Sequence, residues 1–193
     1  MPGLCIVGGI ELKRHSIAII TLLAVTQAFA QETLTPEPED GVYNFVSHYR
    51  VEIAAPPAAV WSVLLDLGGW MYDFEMAPVS GEAGQPGQVL RLYRDQAFMV
   101  QITQVVEHKL LAIANLPLVF QGEYGTGVGV MTLHQTREGT EVALTMSRRY
   151  VWQGEGVNPL RTQRATAEFQ QQTRALWQDR FLARLKEIVE EAS

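Results

Sequence analysis

The chain has 193 residues, of which 47% are hydrophobic, 19% charged and 9% aromatic, with 16 Gly and 9 Pro; this is the profile of a folded globular chain and excludes disorder, collagen and coiled coil. The length suits one domain with a sizeable core, since a chain of roughly 150 residues buries about 70% of its unfolded surface. A formal charge of −6 without a run of Lys or Arg argues against nucleic acid as a partner.

Lys13-Arg14 precedes an uncharged, strongly apolar stretch, and Ala28-Phe29-Ala30 gives a small-x-small cleavage pattern. Residues 1–30 are therefore expected to be a secretory signal peptide and the mature chain periplasmic or secreted. A retained anchor is the alternative, although residues 16–31 fall short of the about 20 apolar residues that cross a bilayer. Cleavage would remove Cys5, the one Cys, leaving no disulfide and no thiol nucleophile, and no transmembrane span is expected in the mature chain. Residues 31–41, rich in Pro and acids, are expected to be a flexible lead-in.

From Tyr43, period-two alternation sets Tyr43, Phe45, Ser47, Tyr49, Val51 and Ile53 on one face of a half-buried strand. Pro56-Pro57 ends it and begins a helix through Leu65, which Gly68-Gly69 is expected to stop; Trp70 to Phe74 then reads as a short helix or turn. Strands are expected at residues 89–93, at 98–106 with Phe98, Val100, Ile102 and Gln104 on one face, and at 110–114. Residues 128–134 and 142–152 flank Glu138-Gly139 as a hairpin. From Pro159 the apolar residues Phe169, Leu176, Phe181, Leu185 and Ile188 recur at helical spacing, so a single long amphipathic helix is expected to close the chain. The class is α+β: an antiparallel sheet with one apolar face must be covered, and that helix is the element large enough to cover it.

Residues 49–66, Tyr49-Arg-Val-Glu-Ile-Ala-Ala-Pro-Pro-Ala-Ala-Val-Trp-Ser-Val-Leu-Leu-Asp66, with Gly68-Gly-Trp70 and the closing helix, resemble the START/Bet v 1-like (SRPBCC) superfamily, nearest the polyketide cyclase/dehydrase-type members. The resemblance spans about residues 42–191, nearly all of the expected domain at 42–193. It implies a helix-grip fold, a curved sheet around the long helix, with a cavity for a hydrophobic small molecule between them. The matched motifs mark a fold and carry no catalytic signature. In place of the family's proline-rich aromatic segment after the first helix, this chain has Trp70-Met-Tyr-Asp-Phe74 and its proline only at Pro78.

Arg148 is in phase with Val142, Leu144 and Met146 and so points inward with Tyr150 and Trp152, where a ligand carboxylate or phosphate, or Asp73, Glu75 or Glu123, could pair with it. The alternative is a strand bulge that puts Arg148 on the surface. Trp70, Tyr72 and Phe74, and the apolar segment 116–120 read as a loop, could gate a cavity or simply join the core. Tyr49, Trp70, Tyr72, Phe98, Phe120, Met146, Arg148, Tyr150 and Trp152 are the candidate ligand-binding residues, and catalytic residues are not assignable. His48, His108 and His134 lack metal-ligand spacing, so no metal is expected. Gly122, Gly125, Gly127 and Gly129 fit neither dinucleotide nor P-loop spacing, no cofactor is expected, and these glycines are read as letting a strand bend. The expected function is an exported protein that binds a lipid, isoprenoid or polyketide-like molecule. An enzyme using Arg148 and Tyr150 is one alternative, and an envelope interaction module another.

Overall fold

A computed structural model describes residues 33–34, 42–93, 97–120, 123–156 and 158–192. The expected signal peptide at 1–30 and Gly122 lie outside the described residues, as does most of the expected lead-in. Within that lead-in, Thr33–Leu34 (β1) is not free chain but pairs with Val46 and Phe45.

The first long strand, β2 (Val42–Ile53), buries Tyr43, Phe45, Ser47, Tyr49 and Ile53 on the face that the alternation selects. Pro57 opens α1 (Pro57–Leu64), with its fixed φ suited to a first turn. Gly68-Gly69 does not stop that helix. α1 closes at Leu65, and the two glycines lie inside α2 (Leu67–Trp70), whose apolar ends Leu67 and Trp70 are both buried. Core burial at each end outweighs the low helix propensity of glycine.

β3 (Glu75–Ser80) follows, unanticipated because Pro78 argues against a strand; β3 forms the sheet edge, where a missing donor is tolerated, and its register shifts between Pro78 and Ser80. β4 (Val89–Tyr93) and β5 (Ala97–Val106) pair next, and a bulge between Ile102 and Gln104 breaks the expected alternation: Ile102 is buried, Gln104 exposed, and Val105 packs on the core instead. β6 (Leu110–Phe120) corrects another expectation, since residues 116–120 continue the strand rather than forming a loop. Leu116 and Pro117 are accommodated where the β6–β7 register shifts between Asn115 and Leu118. β7 (Glu123–Gln135) and β8 (Thr140–Trp152) form the hairpin. At its turn Gly139 has φ +154°, and a Cβ there would lie 2.0 Å from the carbonyl oxygen of Ile53, so the turn can close on β2 only with glycine.

The sheet is antiparallel and curved, in the order β1-β2-β8-β7-β6-β5-β4-β3. The C-terminal segment is not one uninterrupted helix from Pro159. α3 (Pro159–Arg164) has Asn158 as its N-cap, and Thr166 caps a new start at α4 (Ala167–Arg174). α4 runs through a π-helical stretch, Ala175–Leu182, into α5 (Ala183–Glu191). Phe181, Leu182, Leu185 and Val189 are fully buried against a core that includes Ile53, Val60, Leu64, Leu111 and Val142. Each such side chain contributes about 1.5–3 kcal/mol relative to exposure. The architecture is the helix-grip fold. No described helix is long and apolar enough to cross a membrane.

Candidate functional site: an apolar cavity with one polar wall

The grip is tight at one end only. α5 buries Leu185 and Val189, whereas α4 buries no residue. Between the sheet, α2 and the π-helical stretch lies a cavity of about 270 Å³. Its floor is sheet, including Ile113, Met131, Leu144 and Met146; α2 contributes Leu67 and Trp70 and the π-helical stretch Trp177; Phe74 and Phe98 complete an aromatic side. Phe74 stands edge-on to Phe98, with ring centroids 5.6 Å apart, and Trp177 edge-on to Phe181 at 5.2 Å.

The floor has room because of β7. Its inward positions run Glu123, Gly125, Gly127, Gly129, Met131, and three successive glycines leave no side chains where neighbouring strands carry theirs. Gly127 faces Asn115 on β6 and Arg148 on β8 in one row across the sheet. A Cβ on Gly127 would lie 3.3 Å from Cγ of Arg148, 3.4 Å from the carbonyl oxygen of Ser147 and 3.5 Å from Nδ2 of Asn115, so the Arg148 stem and the Asn115 amide close over that glycine. Both line the cavity, with Tyr150 one step further along β8. Asn115, Arg148 and Tyr150 form one polar wall in an otherwise apolar space.

A buried polar network backs Tyr150. Tyr43 stacks on it at 5.3 Å, and the Arg164 guanidinium lies 3.9 Å from its ring centroid on α3. Arg164 pairs with Glu123, which is 2% exposed, and donates to the Tyr43 hydroxyl at 2.6 Å. Tyr43 donates to Glu123, and Asn158 Nδ2 donates to Glu123 at 2.8 Å. Burial first, then the bond to Glu123, push the Tyr43 hydroxyl well above the ordinary phenol value, while Arg164 pulls the other way. Because the carboxylate has both a cation and neutral donors, its burial is compensated.

The structure gathers Trp70, Phe98, Met146, Arg148 and Tyr150 around the cavity. Arg148 points inward because the ladders on both sides of β8 keep register from Thr140 to Val151, without the bulge that would turn it out. Tyr49 does not reach the cavity; it is 4% exposed, within the core beside Leu144. Tyr72 is half exposed, outside the cavity, and accepts a hydrogen bond from Arg180 Nε at 2.9 Å. Trp152 turns away, its Nε1 donating to Gly156 at 3.2 Å where β8 ends. Phe120 lies in β6, and its side chain is outside the described residues. Of the acids weighed as partners for Arg148, Glu123 takes Arg164 and Asp73 takes Arg180. Sequence reading missed Asn115, Trp177 and Arg164. Asn115 has a visible signal, a polar residue inside the apolar run 110–120, but Trp177 enters the wall through a π-helical stretch that α-periodicity does not anticipate. His48, His108 and His134 are all exposed, and no group of three His, Cys, Asp or Glu among the described residues is placed to hold a metal.

Fold and cavity together define a helix-grip protein of the START/Bet v 1-like kind. The model for the family described as polyketide cyclase / dehydrase and lipid transport matches residues 45–190, and the chain belongs to that family. Among solved structures it is similar to truncated norcoclaurine synthase from Thalictrum flavum, at 14% identity and a TM-score of 0.52, covering 79% of this chain and 97% of that one. It is also similar to Ara h 8.0201, at 15% identity and a TM-score of 0.51 over 77% and 98% of the two chains. Protein MLL2253 from Mesorhizobium loti has 16% identity and a TM-score of 0.52, again over 77% and 98%. At these identities the likeness speaks for the fold alone. No curated protein matches the sequence.

Proposed function

We propose that this chain is an exported binding protein that holds a hydrophobic or amphipathic small molecule, of lipid, isoprenoid or polyketide-like character, between sheet and closing helix, without transforming it. The observation that carries the reading is the cavity of about 270 Å³, apolar on most sides, with Gly129 in its floor. Cavities of this kind, with a few convergent polar groups, are the usual form of a small-molecule site. Export is supported by Lys13-Arg14, the apolar stretch after it and Ala28-Phe29-Ala30. Native mass spectrometry of protein purified from the envelope fraction, followed by denaturation, is expected to release a stoichiometric small molecule. Empty protein that also fails to bind apolar probes would sink the carrier reading.

A second reading, a cyclase/dehydrase-type enzyme, is favoured by the polar wall, because a general acid or base must reach a reacting atom inside the cavity. The family description names such enzymes beside lipid transport. Unchanged turnover of an identified substrate after replacement of both Arg148 and Tyr150 would remove this reading.

A further inference from the structure

We infer that the bound molecule is a compact, flat aromatic one, selected over saturated molecules of the same skeleton by the thioethers of Met71, Met76, Met131 and Met146. This rests on the carrier reading and deepens it. Size is the first argument. An apolar cavity of about 150 Å³ holds one benzene, so about 270 Å³ admits roughly two fused rings and excludes a two-chain lipid.

The make-up of the wall is the second. Among the described residues, every methionine of the hydrophobic core lines the cavity: Met71 at the end of α2, Met76 on β3, Met131 on β7 and Met146 on β8. Away from the cavity the core holds branched side chains such as Ile53, Val60, Leu64, Leu111 and Leu185. The other described methionine, Met99, is exposed. An unbranched, polarizable thioether specifies a packed core poorly but adjusts well around a guest, so methionine is concentrated where something other than the chain fills the space.

Placement is the third. Met131 and Met146 lie in the β7–β8 floor, whereas Met71 and Met76 flank Phe74 in the segment that leads from α2 into β3, the far edge of the sheet. Phe98 on β5 comes between the two pairs in strand order and stands edge-on to Phe74. A flat guest therefore has sulfur on two sides and ring edges beside it. Sulfur–ring and ring–edge contacts are favourable beyond the area they bury, and a saturated body makes neither. Area alone would favour the saturated body, which has the larger apolar surface.

The test is calorimetric titration of the full-length protein with 2-naphthylmethanol and with its saturated counterpart decahydro-2-naphthylmethanol. The flat probe is expected to bind about tenfold more tightly, the combined effect of a few sulfur–ring and ring–edge contacts. Met→Leu conserves volume and apolar character while removing the sulfur. Met131→Leu together with Met146→Leu is expected to cut the preference to about twofold or less while retaining affinity for the saturated probe, which also reports that the variant is folded. Met76→Leu together with Met146→Leu, at two partly buried positions, serves if the first pair does not fold. Equal binding of the two probes to the native protein, tighter binding of the saturated one, or a preference that survives the substitutions and so reflects size alone, would overturn the inference and leave the carrier reading standing. If neither probe binds, the carrier reading falls and takes this one with it.

Discussion

Gly129 shows how one missing side chain serves stability and function in opposite directions. A Cβ placed on it would meet only Leu144 Cδ1, at 3.7 Å, an ordinary contact, and its backbone is regular strand. Replacing glycine where the native backbone suits alanine stabilises by about 0.4–1 kcal/mol, chiefly through the unfolded chain. Gly129→Ala is therefore expected to raise stability by that amount in urea denaturation. Gly129→Leu should fill the floor and weaken probe binding markedly. Loss of stability in the alanine variant would show that the strand is strained there. Tyr43 makes a second residue-scale prediction. Its folded value is raised, so the unfolded phenol, near 10, releases its proton first as pH rises. The folded state then binds more protons than the unfolded one, and stability falls with rising pH from about 10 upward. In Tyr43→Phe that part of the alkaline loss should disappear, measured as unfolding free energy against pH.

At the scale of elements, the interruption between α3 and α4 matters most. Asn158 accepts from the backbone N–H of Leu160 at 2.9 Å and of Arg161 at 3.3 Å, so it caps α3 while its amide donates to Glu123. One side chain thus starts the helix that carries Arg164 and ties it to the buried carboxylate. Loss of an N-cap costs about 1 kcal/mol, and loss of a hydrogen bond to a charged group adds about 1.5–3 kcal/mol. Asn158→Ala is expected to destabilise by about 2–4 kcal/mol and to speed amide exchange in α3 ahead of α5. Uniform exchange across both helices would show that α3 has no separate anchorage. The π-helical stretch acts at the same scale: it carries Trp177 to the cavity and Phe181 to the core within one segment.

For the molecule as a whole, α5 buries residues in the core and α4 buries none, and the cavity with its polar wall lies between the sheet, α2 and the π-helical stretch. Release of a stoichiometric ligand from envelope-purified protein tests the molecule at this scale. Much of the layout was legible in the residues. The alternation from Tyr43 to Ile53, the hairpin around Gly139 and the apolar spacing of Phe181, Leu185 and Ile188 define which faces turn to the core. Strict period two also brought Arg148 inward, because no bulge intervened on β8. The same rule failed at Gln104, where β5 bulges, and the loop expected at 116–120 is strand, β6 continuing through a register shift.

Patterning along the chain therefore determined the class, an antiparallel sheet held by a closing helix, because which residues leave water is a local property of period and composition. Which side chains meet is a property of register between strands distant in sequence. Only the tertiary structure placed Gly127 between Asn115 and Arg148, joined Glu123 to Arg164 over |i−j| of 41, and left a cavity between sheet, α2 and the π-helical stretch. Those pairings come from the packing of whole elements, which no window of the sequence contains.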